Sequence, residues 1–160
     1  MSTRCGDLDP GAILHLLTED RLSPDELQQL LYQESGLLGL SGLSGDMKAL
    51  IARADEARAA EAIDYFCYQA RRHVGALAAV LGGLDRLVFT GGIGVNAPAV
   101  RAQICGGLGF LGIELDSARN AEGAGLLSSD ASAVLVEMRQ TDEELVIARH
   151  VGDLMAVGLR

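Results

Sequence analysis

The sequence predicts an α/β fold, and three observations carry that expectation. The run Arg86-Leu-Val-Phe-Thr-Gly-Gly-Ile-Gly-Val-Asn-Ala-Pro98 passes from a β-branched and aromatic stretch into three glycines and then into a new helical pattern. Upstream, from Asp55 to Leu81, the apolar positions Ile63, Phe66, Ala70, Val74, Leu77 and Leu81 recur three or four apart, the period of a long amphipathic helix. Downstream, Ala133 to Met138 reads as the last strand. Glycines at a strand-to-helix turn let the backbone approach a ligand with no Cβ in the way, and the unsatisfied N–H groups of the next helix face whatever sits there. A nucleotide suits such a turn. The same pattern also arises where glycine serves backbone angles alone.

The remaining elements follow in order. Ile13, Leu14, Leu16 and Leu17 give residues 11 to 19 a helical period, and Ser23-Pro24 places an N-cap before a proline at the first helical position, so two short helices open the chain. Asp7 and Asp9 read as caps of the first. Leu37 to Gly45 reads as an irregular Leu/Gly/Ser loop, ended by a helix that begins near Asp46. Gly82-Gly83 stops the long helix. A strand is expected over Arg86 to Thr90, a helix over Pro98 to Cys105, a short strand over Phe110 to Leu115, and a polar loop over 117 to 130. Thr141 followed by Glu144 has the spacing of a capping box and opens a final helix with Leu145, Val146, Ala148, Val151 and Leu154.

Composition narrows the function. A chain of 160 residues is one domain's worth. With 49% hydrophobic residues, 4% aromatic and a mean hydropathy of +0.23, Leu, Ala, Val and Ile supply the burial, and apolar surface is expected to be left over. The 13 basic and 22 acidic residues give a net charge of −9, which disfavours nucleic acid and anionic membrane surfaces. Cys5, Cys67 and Cys105 are odd in number and stand at no metal-ligand spacing, so they read as reduced thiols. No basic-then-apolar leader pattern and no apolar run of about 20 residues occurs. A cytoplasmic setting is expected.

Four blocks share a resemblance. Phe89-Thr-Gly-Gly-Ile-Gly-Val-Asn96, with Val100-Arg101 and Leu108-Gly-Phe-Leu-Gly-Ile-Glu-Leu-Asp116 after it, resembles the glycine-rich adenosine loop of acetate kinases. Thr3-Arg-Cys-Gly-Asp-Leu-Asp-Pro10, Glu34-Ser-Gly-Leu-Leu-Gly-Leu-Ser-Gly-Leu-Ser-Gly-Asp-Met-Lys48 and Thr141-Asp-Glu-Glu-Leu-Val-Ile-Ala-Arg149 fall in that family's order. The resemblance implies the acetate kinase/sugar kinase/Hsc70/actin (ribonuclease H-like) fold, present here as part of its second lobe with a helical insert. It divides the chain into residues 1–140, a partial C-terminal nucleotide-binding lobe that includes the helical segment 10–83, and residues 141–160, a C-terminal helix. It covers only the C-terminal part of the family's length, with Met1-Ser-Thr-Arg4 on an internal Met-Gly-Thr-Arg, so most of the groups that grip acetate are expected to lie outside this sequence.

What the family implies for individual residues comes by position. Arg4 would be the catalytic arginine that steadies the phosphoryl group in flight, a task for a planar, permanently charged fork. Taken alone it is a solvated arginine near a terminus. Asp46, Met47 and Lys48 would form one wall of the adenosine site, with Lys48 where most relatives have Arg; read by pattern, Asp46 is an N-cap. Gly92, Ile93, Gly94, Val95 and Asn96 would cradle the adenosine and α-phosphate side of the nucleotide, with Val95 where many relatives have Glu. Glu143 would be the metal-side carboxylate, holding Mg²⁺ (or Mn²⁺) through water. Its place in the first turn of a helix also suits a carboxylate that interacts only with the dipole. Asp142 replaces the family's Asn. His15, His73 and His150 read as surface or core-edge residues.

The implied reaction is Mg²⁺-dependent in-line phosphoryl transfer from ATP to acetate, giving ADP and acetyl phosphate, with the chain by itself expected to be inactive. Propionate and butyrate kinases share these blocks and remain open. Two readings from other classes stand beside it. One is a remnant that binds adenine nucleotide or dimerises without turnover. The other is a Rossmann-type dinucleotide module, since Gly92-x-Gly-x-x-Ala97 also fits that fingerprint and Asp116 follows the next expected strand where a ribose-binding acid stands. Strands left without neighbours would expose an edge and an apolar face that seek a partner, and the resemblance implies a homodimer.

Overall fold

A computed structural model describes residues 2–158, except for the side chains of Glu143 and of residues 156–158. The first half is helical. Helix α1 (Pro10–Thr18) starts on Asp9, whose carboxylate accepts from the N–H of Gly11. Asp7 is not a cap: it pairs with Arg72 at 2.8 Å and ties the N-terminal segment to the long helix. Helix α2 (Pro24–Gln33) opens with a complete capping box, Ser23 accepting from the N–H of Glu26 while the Glu26 carboxylate accepts from the N–H of Ser23.

The stretch expected to be an irregular loop contains a helix, α3 (Gly36–Ser41). Its glycines do not break it. A Cβ at Gly39 would stand 2.7 Å from the carbonyl oxygen of Glu34, so glycine is there for close approach, and Gly42, at φ 62°, ends the helix in the left-handed conformation. Ser41 is buried within this turn, donating to the Leu37 carbonyl and accepting from the N–H groups of Leu43 and Ser44.

Helix α4 (Met47–Ile51) and the long α5 (Ala57–Leu81) follow, and α3 and α4 both pack on α5. Strand β1 (Arg86–Phe89) leads through Thr90 into α6 (Gly91–Asn96) and then α7 (Pro98–Gly106). No strand forms over 110–115. The backbone makes a 3-10 turn at Gly109–Leu111 and then a single antiparallel bridge between Leu115 and Ser128. The expected loop at 117–130 begins as helix α8 (Ser117–Glu122), capped by the Asp116 carboxylate on the N–H of Arg119. Both differences have one cause: short elements of one or two turns are set by tertiary contacts and leave little periodicity.

Strand β2 (Leu135–Met138) lies parallel to β1, with Arg86 opposite Leu135 and Phe89 opposite Met138. The last helix, α9 (Glu143–Gly158), is not opened by Thr141. The carboxylate of Asp142 accepts from the N–H of Leu145 at 2.8 Å and supplies the cap. The core runs between α3, α4, α5, α7 and the sheet, where Leu50, Ala59, Ala62, Cys67, Leu127 and Val136 lose all exposure. Apolar surface is left over as expected: Val80, Leu81, Phe110, Ile147, Leu154 and Met155 are exposed. Among the described residues no helix is long and apolar enough to cross a membrane.

Candidate functional site

The N-terminus of α4 and one face of α6, far apart in sequence, meet across a cleft of about 590 Å³. Asp46, Met47, Lys48 and Ile51 form one wall, and Gly92, Ile93, Asn96 and Ala97 the other. The size falls within the range of small-molecule sites, roughly 300–1,000 Å³. Met47 and Leu50 anchor α4 in the core, which fixes the wall. Asp46 caps the same helix, its carboxylate accepting from the N–H of Lys48 at 3.0 Å, and Lys48 is exposed at the mouth.

The three glycines that lead from β1 into α6 differ in what they do. Gly91 has φ 70° and turns the chain from the strand into α6. Gly94 brings α6 against the end of β1, where a Cβ would stand 3.2 Å from the carbonyl carbon of Phe89. Gly92 answers to neither demand: its φ is ordinary, and a Cβ there would meet nothing within 4 Å. Gly92 lines the cleft, with open space where a side chain would begin. Asn96 donates from Nδ2 to the Gly92 carbonyl at 3.0 Å, bracing this face from within.

Six of the eight residues expected to hold a nucleotide therefore line one cleft: Asp46, Met47, Lys48, Gly92, Ile93 and Asn96. Gly94 and Val95 do not. Their carbonyls turn away and accept from Nη1 of Arg101, each at 2.8 Å. Ile51 and Ala97 also line the cleft. Ile51 stands one helical turn beyond Met47, a spacing from which it was readable.

Arg101 is 1% exposed, and burial pulls its pKa below the usual arginine value. Nε donates to Oδ1 of Asn120 at 2.8 Å and Nη2 to the Asn120 carbonyl at 2.7 Å. Asn120, itself buried, passes the connection on from Nδ2 to the carbonyl of Pro98.

Arg4 does not line the cleft. Residues 2–5 run along the end of α2 and the start of α3 through backbone bonds, Cys5 N–H to Leu31 and Ser35 N–H to Thr3 among them, and the exposed Arg4 guanidinium lies 5.5 Å from the centroid of the Tyr32 ring. The segment also passes beside the turn before Asp46, since a Cβ at Gly45 would stand 3.0 Å from the Ser2 carbonyl oxygen. Glu143 opens α9, but its side chain lies outside the described residues. Among the described residues no three His, Cys, Asp or Glu side chains are grouped to hold a metal ion. The three histidines are exposed. Asp116, the acid that a dinucleotide site would require, is taken by the cap of α8, and the strand before it is a 3-10 turn.

The model of the acetokinase family matches residues 1–149. An acetate kinase of Rhodopseudomonas palustris is 51% identical over 153 residues, spanning 94% of this chain and 38% of its own length. One from Thermosynechococcus vestitus is 46% identical, spanning 98% and 39%. Among solved structures, Porphyromonas gingivalis acetate kinase superposes with a TM-score of 0.87 at 36% identity over 97% of this chain and 40% of that one. A propionate kinase from Francisella tularensis gives 0.85 at 33% identity, over 92% and 38%. The architecture is thus part of an α/β fold of the acetate kinase/sugar kinase/Hsc70/actin class. The chain belongs to the acetokinase family. It spans about two fifths of the length of the curated relatives it matches.

Proposed function

We propose that this chain is the C-terminal part of an acetate kinase and provides its adenine nucleotide site, in the cleft between α4 and α6. One observation carries the reading: two family blocks distant in sequence line a single cleft, and its Gly92 has neither a positive φ nor a close neighbour to account for it. In this reading residues 1–140 form the nucleotide-binding lobe and 141–160 its C-terminal helix. Gly92, Ile93 and Asn96 present the open backbone face to the adenosine and α-phosphate. Asp46, Met47 and Lys48 close the opposite side, and Gly94 and Val95 act through the backbone of α6.

Arg4 would leave Tyr32 to meet the phosphoryl group as it passes to the carboxylate of acetate, or of propionate, the substrate named for the Francisella neighbour. Mg²⁺ would neutralise phosphate charge, and a hydrated ion carried on phosphates needs one or two carboxylates rather than a protein cage, which suits Glu143. The acetokinase setting implies a cytoplasmic homodimer, and three free thiols are compatible with a reducing compartment. Positioning and charge neutralisation need all their groups at once, so the chain by itself should turn over no acetate above background in a hydroxamate assay for acetyl phosphate.

Calorimetric titration with ADP tests the site, with NAD⁺ as the control. ADP should bind and NAD⁺ should bind more weakly. Gly92→Ala gives the sharper comparison: alanine should stabilise α6 by roughly 0.5–1 kcal/mol while its methyl group enters the cleft and weakens ADP. Unchanged ADP affinity in a stabilised variant would place the nucleotide elsewhere.

A further inference from the structure

Helix α6 is a poor helix on its own account. It has six residues, three of them glycine, and it is too short to hold itself by propagation. Its last carbonyls have no partners within the helix. Two of them, on Gly94 and Val95, are taken by one guanidinium nitrogen of Arg101. The other donors of that side chain go to Asn120 on α8, which in turn holds the first residue of α7. Three helices meet at one buried cation.

A packing role does not call for a cation here. None of the ion pairs among the described residues involves Arg101, so its desolvation is offset by neutral acceptors only. What the guanidinium does that an apolar side chain of equal volume would not is hold two specific carbonyls at fixed positions. Those carbonyls belong to the last turn of the helix whose Gly92, Ile93 and Asn96 line the cleft.

We propose that Arg101, oriented by Asn120, is a positioning residue for the ligand cleft: it holds α6 in the one conformation that presents the open face at Gly92 to a nucleoside diphosphate or triphosphate. The inference rests on the nucleotide reading for the identity of the ligand, though not for the mechanical link between Arg101 and α6. Pre-organisation of this kind acts on affinity, because a loosened α6 must be ordered again at each binding event.

The experiment compares the full chain with Arg101→Lys, Asn120→Ala and Asn120→Asp by amide hydrogen exchange and by ADP titration. Lysine keeps the charge but cannot fork to both carbonyls and Asn120. Its α6 amides should exchange at least about tenfold faster while those of α5 stay as they were, and ADP affinity should fall about tenfold, the scale of one charge-assisted hydrogen bond. Asn120→Ala, which leaves Arg101 in place without its support, should shift both in the same direction by less, and Asn120→Asp, which keeps an acceptor for Nε but loses the donor to the Pro98 carbonyl, should fall between Asn120→Ala and the unmodified chain. If Arg101→Lys does not fold, the two Asn120 variants decide.

Exchange that rises equally in α5 and α6 would reduce Arg101 to a general stabiliser and overturn the proposal. So would a loosened α6 with undiminished ADP affinity. If the unmodified chain binds no ADP, the reading of the ligand falls, and the exchange comparison still decides whether Arg101 governs α6.

Discussion

Cys67 and Cys105 sit in the core without hydrogen-bonded partners strong enough to hold a thiolate, and burial pushes each thiol from an ordinary 9.0 up to about 11. Cys5 is exposed. A thiol-reactive dye at pH 8 should therefore titrate one cysteine in the native chain and three after unfolding. The same shift has a thermodynamic sign. A folded pKa above the unfolded one means that stability is whole below about pH 9 and is lost as pH rises toward 11. Replacing both buried cysteines with alanine should flatten the alkaline limb of a denaturation profile while lowering stability across the whole range. At Gly91 the backbone itself sets the constraint: φ 70° makes Gly91→Ala destabilising by about 1–2 kcal/mol, measurable as a lowered urea midpoint, whereas Gly92→Ala one position on should move it the other way.

Helix α2 is the element with the most complete local instructions. Ser23→Ala should cost about 1 kcal/mol, and the loss should show in a thermal scan. The hydrogen bonds from Ser23 hold the Glu26 carboxyl below its ordinary range, so this contribution is present at neutral pH and disappears as pH falls through the lowered pKa. Glu26→Gln should remove that part of the acid dependence. Caps and periodicity of this strength made α1, α2, α4, α5, α7 and both strands legible in the sequence, with ends displaced by a residue or two. The serine- and glycine-rich helix α3 was not legible, because what Gly39 answers to is a carbonyl of Glu34 that only folding brings near. Thr141 and Asp142 both suit a cap, and spacing alone favoured the wrong one. In the cleft, each wall was readable from its family block, but the meeting of the walls is tertiary. Arg101 carries no signal of its role, since nothing in a linear pattern announces that a lone arginine will be buried against a glycine helix.

At the scale of the molecule, β1 pairs with β2 on one edge and with no strand on the other among the described residues. Beside that edge lies an apolar depression lined by Phe66, Val74, Leu87, Phe89 and Ile104. An open edge next to an apolar face is an association surface, and the net charge of −9 opposes it only weakly at physiological salt. Light scattering coupled to size exclusion should find a dimer or larger species; a monodisperse monomer over a hundredfold range of concentration would count against association through this edge.

The parallel pairing of β1 with β2 also sets a clock on synthesis. Arg86 must wait for Leu135, roughly fifty residues later, before its strand has a neighbour. At about 5–20 residues per second a ribosome takes roughly 3–10 s to make that stretch, ample time for α3, α4 and α5 to dock on one another. For those seconds Arg86-Leu-Val-Phe89 stands finished and unmatched beside a completed helical half. Translation slowed between codons 90 and 135 should therefore lower the soluble yield more than the same slowing placed before codon 57.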